Sequence, residues 1–226
     1  MLPTSPSSSP RTTRLQRHPA VASDAQHRDL GGPNFEVWPT APSYIGRMAI
    51  ISDNKNWTWV LERECPECGF EAALFDPQQM PAALRANATA WTELLDSEHA
   101  RERPTPDSWS ALEYGCHVRD VFVLFNERLR LMLDNDDPTY QNWDQDATAI
   151  ADRYSDQDPA IVAPALTHAA DALAARFASV TPDQWQRTGN RSDGARFTVQ
   201  TFAQYLIHDP VHHVHDVRTG YQLLGA

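Results

Sequence analysis

"WSALEYGCHVRDVFVLFNERLRLMLD", residues 109–134, is the stretch whose period decides the architecture. Tyr114, His117, Val121, Leu124 and Phe125 recur at the three- and four-residue spacing of one helical face. Ser108, after the breaker "RPTPD", stands ahead of it as an N-cap. Upstream, "AALRANATAWTELLDSEHAR" follows Pro81 and repeats the pattern with Leu84, Ala88, Trp91 and Leu95. Downstream, a third helix is predicted from about Pro159 through "AIVAPALTHAADALAARFASV". A last helix starts near Thr198 and carries Phe202, Tyr205 and Leu206. Four helices of about 20 residues predict an all-α antiparallel four-helix bundle with long crossover loops. One connection, "NDDPTYQNWDQDATAIADRYSDQDP", is polar and aperiodic, and loops of such length in a compact domain are usually functional. "TPDQWQRTGNRSDGARF" is a second polar connection, and "WTWVLE" at 57–62 reads as a short extended segment.

The bundle occupies residues 81–226, behind an arm at 48–80 that holds a C-x-x-C. Residues 1–47 are rich in Ser, Pro and Arg and poor in core formers, too apolar-poor to offset the entropy of ordering. We read them as a disordered leader or a spurious extension upstream of Met48, in preference to an organelle transit peptide. A net charge of −11 argues against nucleic acid and against an anionic membrane face. No apolar run reaches the roughly 18 residues of a membrane span. Three cysteines make no disulfide framework, so a reducing cytoplasm is expected.

The last helix continues as "YLIHDPVHHVHDV", residues 205–217, with four of the nine histidines. Side chains four apart on a helix reach one ion, and His208 with His212 have that spacing. His212 and His215, three apart, compete with them. Pro210 disturbs the turn between His208 and His212, which favours the first pair slightly. His213 points away and reads as exposed or as an outer partner. A solvated helix end is the plain alternative. His117, on an apolar stripe where an unpaired imidazole is costly, raises the case for a metal with open positions.

"WSALEYGCHVRDV", followed much later by "DGARFTVQTFAQYLIHDPVHH", resembles the DinB-like superfamily over roughly Pro81 to Leu224. "NWTWVLERECPECGF" is similar to an actinobacterial branch of it. The resemblance implies an up-down-down-up bundle with one divalent ion, Zn²⁺ or Ni²⁺, on His117, His208 and His212. It further implies a thiol-dependent transferase or isomerase, using mycothiol or a similar low-molecular-weight thiol on a small-molecule substrate. The alternative is a non-catalytic metal-binding or stress-response protein whose bundle supports a homodimer.

Beyond the histidines, "NWDQDATA" offers Asp144 and Asp146, and Asp146 is the candidate general base or histidine partner. Tyr205, one turn before His208, is the candidate donor to a substrate oxygen. Cys65 and Cys68 have zinc-knuckle spacing, but the chain lacks the further cysteines to complete a four-ligand site. We therefore expect them to be structural, to form a partial metal site, or to serve redox chemistry or as thiols near the substrate, and not to hold the principal metal.

Overall fold

The computed structural model describes residues 56–226; the expected leader, 1–47, and the start of the arm lie outside the described residues. The helices are α1 (Met80–Leu95), α2 (Ala111–Asp134), the short α3 (Gln145–Ala151), α4 (Pro159–Ala178) and α5 (Val199–Leu224). Side-chain contacts fix their directions. Arg85 near the start of α1 pairs with Asp171 far along α4, so these two are antiparallel. Arg176 of α4 donates to Asn126 of α2 at matching depth, so α2 and α4 are parallel. Phe125 of α2 meets Phe202 of α5, and His117 meets His213, which makes that pair antiparallel. Asn87 and the carbonyl of Leu94 in α1 bond Pro210 and Tyr221 in α5, a parallel pair. The result is the up-down-down-up bundle, with the long crossover between α2 and α4 that two parallel neighbours require.

Apolar periodicity builds the interior. Leu84 and Trp91 of α1, Leu112 and Phe122 of α2, Leu166 and Leu173 of α4, and Phe202 and Leu206 of α5 are almost wholly buried. Such side chains contribute about 1.5–3 kcal/mol each on burial. Helix α2 is capped by Ser110, two residues beyond the expected Ser108. The Ser110 side chain accepts from the N–H of Glu113, and the Glu113 carboxylate accepts from the N–H of Ser110. This reciprocal box satisfies two amides that the helix start leaves unpaired. The last helix starts where expected, at Val199 with Thr198 as its cap, and α5 runs unbroken through Pro210. Among the described residues, no helix is long and apolar enough to cross a membrane.

Two connections differ from expectation. The polar linkers contribute a small sheet: β1 (Thr139–Tyr140) pairs parallel with β2 (Thr188–Arg191), which pairs antiparallel with β3 (Arg196–Thr198). The segment 57–62, expected to be extended, instead forms a 3₁₀ turn over Trp57–Leu61, capped by Asn56. In this turn Trp57 and Trp59 both reach His208, with ring centroids at 5.6 and 6.4 Å. Further along the arm, Gln204 of α5 donates to the carbonyls of Ala73 and Phe75 and ties that stretch to the last helix.

Candidate metal centres and cavity

Helix α5 presents two adjacent stripes of ligating side chains. Positions 208 and 212 form one stripe; 209 and 213 form the next, about 100° around the helix. The second faces α2. His117 Nε2 lies 3.4 Å from Asp209 Oδ2, and His213 Nε2 lies 3.8 Å from the same oxygen. The first stripe faces the N-terminal arm, where Cys65 Sγ is 3.6 Å from His212 Nδ1 and Cys68 Sγ is 3.8 Å from His208 Nε2. The described residues thus form two candidate ligand groups, each with its ligand atoms within 4.8 Å of one another: Cys65, Cys68, His208 and His212, and His117, Asp209 and His213.

The expected trio of His117, His208 and His212 is therefore divided between the two groups. The physical reason is helical phase: the residues that reach α2 are one position beyond those that reach the arm. His213, expected to point away, is a close neighbour of His117, with ring centroids 5.0 Å apart. Two histidines lie beside the C-x-x-C pair, which a count of cysteines alone misses. His215 belongs to neither group.

In the α2-facing group His117 is the enclosed member, while Asp209 and His213 are partly exposed. His117 is 1% exposed, with the Trp143 ring stacked on it at 5.3 Å and Trp109 at 5.5 Å. Trp143 is fixed by its indole N–H, which donates to Thr148. His213 Nδ1 lies 2.9 Å from Asp216 Oδ2, an arrangement that leaves Nε2 as the lone-pair side of the ring. Burial opposes ionisation of Asp209, yet the imidazoles of His117 and His213 hold its carboxyl down at about 2. Among the described residues, His117 Nδ1 and Asp209 Oδ1 have no hydrogen-bond partner. Buried lone pairs of this kind are costly unless something else satisfies them. A carboxylate and two imidazoles suit a divalent transition ion, and three protein ligands leave further positions free.

In the arm-facing group, burial lowers His208 to about 4 and also lowers His212, so both rings are neutral at pH 7. Burial, with the neighbouring Cys65, raises the Cys68 thiol to about 11. Trp57 covers both rings, at 5.6 and 5.4 Å. The third cysteine, Cys116, is buried against the Tyr154 carbonyl and pushed up to about 12 by desolvation, so it is no nucleophile.

A cavity of about 340 Å³ opens beside these groups, with Asp209 and His213 in its wall. Asp146 and Tyr205, the two candidate catalytic residues, also line it. Asp144 instead caps α3 through the N–H of Ala147. At the cavity's other end lie two arginines that sequence reading passed over. Arg191 donates to Tyr205 Oη at 3.0 Å and pairs with Asp193. Arg128 is 5% exposed, donates to the carbonyl of Gln141, stacks over Phe125 and Tyr140, and leaves Nε without a partner among the described residues. The available signal was a basic residue on an otherwise apolar helical face.

Imidazoles and a carboxylate gathered between two antiparallel helices beside a cavity make a candidate metal site in a four-helix bundle. A model of the DinB superfamily matches residues 82–217, and the chain belongs to that superfamily. The structure of YfiT from Bacillus subtilis is similar, with a TM-score of 0.54 and 18% identity, covering 75% of this chain and 86% of that one. YfiT is described as a probable metal-dependent hydrolase with an unusual four-helix bundle topology. No curated protein matches the chain.

Proposed function

We propose that the protein is a divalent-metal-dependent enzyme acting on a small anionic molecule in this cavity, with a low-molecular-weight thiol as cosubstrate. The reaction class we favour is S-transfer or isomerisation. The observation that carries the reading is the cluster of His117, Asp209 and His213, with its unsatisfied buried lone pairs, beside a cavity of about 340 Å³. These three residues would hold Zn²⁺ or Ni²⁺, with Asp209 and His213 in the roles first expected of His208 and His212.

A bound ion supplies positive charge that lowers the pKa of a nearby thiol or water and polarises a carbonyl. The chain's own side chains divide the remaining tasks. Arg128, buried without a carboxylate partner among the described residues, attracts the substrate's anionic group, and Arg191 adds a second positive charge. Tyr205, held by Arg191, donates its hydroxyl hydrogen to a substrate oxygen. Asp146 is the candidate base. Trp143 and Trp109 shield the His117 ring from water, which strengthens the local electrostatics.

The test is a screen of the Zn²⁺- and Ni²⁺-loaded protein against electrophilic carboxylates, with mycothiol, bacillithiol or glutathione and without thiol. Turnover that needs a thiol and is lost in His117→Ala supports the proposal. Metal-dependent hydrolysis without thiol would replace the S-transfer part with hydrolase chemistry. A fully loaded protein inert in every arm would favour the non-catalytic reading.

A further inference from the structure

We propose that Cys65, Cys68, His208 and His212 form a second metal centre, a closed Cys₂His₂ zinc site that fastens the N-terminal arm to α5. It is separate from the cavity cluster and does not depend on the reaction proposed there.

The first support is geometric. Zinc with bonds of about 2.3 Å to sulfur and about 2.0–2.1 Å to nitrogen sets tetrahedral ligand-to-ligand edges of about 3.3–3.8 Å. The sulfur-to-nitrogen separations are 3.6 Å for Cys65 with His212 and 3.8 Å for Cys68 with His208. Four ligand atoms, two sulfur and two nitrogen, converge within 4.8 Å although 140 or more residues separate the two halves. The spacings, C-x₂-C and H-x₃-H, are those from which structural zinc sites are built.

The second support lies around the ligands. Cys65 opens a tight knuckle: its carbonyl accepts from the N–H of Gly69, and its own N–H donates to the carbonyl of Phe70. Gly69 has φ of +72°, a conformation open to glycine, so the chain doubles back directly after the second cysteine. With Nδ1 of His212 turned to Cys65, its Nε2 lies 3.4 Å from Glu67 and 3.6 Å from Asp216. A carboxylate on the far nitrogen is the usual outer partner of a zinc-bound imidazole. His208 and His212 are 4% and 5% exposed, and Cys65 is wholly buried.

The third support is a need for it. Over Trp57–Gln79 the arm has only short 3₁₀ turns, and its buried hydrophobic residues are Val60, Cys65 and Ala72. So small a core holds a segment weakly. A four-coordinate ion binding both thiolates, with release of their two protons, supplies the missing fastening.

The experiment uses the full chain, stripped of metal under reducing conditions and titrated with Co²⁺, with metal content measured in parallel on zinc-loaded protein. Wild type should show the strong visible bands of tetrahedral cobalt together with a near-ultraviolet thiolate-to-cobalt band. The double variant Cys65→Ser/Cys68→Ser should lose the thiolate band and one equivalent of zinc. Cys68→His, which keeps a ligand there, should retain that equivalent. His117→Ala should leave the thiolate band at full strength, so failure of the cavity site is read separately. Chelation should speed tryptic cleavage after Arg63 at least about tenfold, because opening of the arm follows site occupancy. A wild type without the thiolate band, a Cys65–Cys68 disulfide in the protein as purified, or a thiolate band abolished by His117→Ala would overturn the proposal.

Discussion

Changing Glu113 to Gln tests how the start of α2, one turn before His117, is held. Glu113 is 3% exposed, and its carboxylate accepts from Arg103 Nε, Ser110 N and Ser110 Oγ, each at 2.9 Å, and from Arg103 Nη2 at 2.5 Å. Gln preserves the shape but replaces one acceptor with an NH₂ group that faces donors on every side. Removing one member of a buried ion pair costs about 3–5 kcal/mol. Arg103 is 17% exposed, so water recovers part of this, and about 2–3 kcal/mol should remain. For a domain of this size that is roughly 4–12 °C in Tm at pH 7. The pH dependence has a definite sign. Burial opposes ionisation of Glu113, but Arg103 and Ser110 outweigh it and hold the carboxyl below its ordinary range. A depressed folded-state value gives stability that is complete above the unfolded value, about 4.3, and lost as pH falls through the folded one. Urea melts from pH 7 to pH 3 should show the wild-type advantage intact down to about pH 5 and shrinking below pH 4. A difference under about 0.5 kcal/mol at pH 7, or one undiminished at pH 3, would refute the reasoning.

Three further outcomes are expected. Arg128→Met should change Tm little, since a buried charge without a carboxylate partner among the described residues is relieved as its bond to Gln141 is lost. The same change should raise KM for an anionic substrate about 10- to 100-fold, and equal loss of Tm and kcat would argue for a structural role. Gly189→Ala should destabilise by about 1–3 kcal/mol in thermal melts, because an added Cβ comes within 2.7 Å of Met132 Cγ and 3.1 Å of the Tyr140 ring; an unchanged Tm would contradict this. In the native protein at pH 8, iodoacetamide should leave Cys116 unmodified as mapped by mass spectrometry, while chelation exposes Cys65 and Cys68; early labelling of Cys116 would count against its burial.

The four long helices were legible because each carries several turns of apolar period; the seven-residue α3, with no buried face, was not. Ser110 was legible: Ser-x-x-Glu with Glu113 is a capping box, whereas Ser108 has Ala111 at that offset. The sheet was not, since β1 is two residues long and its partner lies some fifty residues away, leaving no local period to read. The site was half legible. Each short motif, C-x-x-C and H-x-x-x-H, stands out, yet nothing local says that one completes the other. Which stripe of α5 meets His117 was equally hidden, because 208/212 and 209/213 are both polar and one residue of helical phase exchanges them.

The distance along the chain between the two halves of the arm site also orders events during synthesis. Cys68 precedes its neighbour His208 by 140 residues, and Cys65 precedes His212 by 147. At about 5–20 residues per second, the ribosome takes roughly 7–30 s to deliver α5 after the knuckle has been made. For that interval both thiols are nascent-chain thiols without their histidines, open to oxidants and stray ions. The arm is made first and cannot dock until α5 has been made.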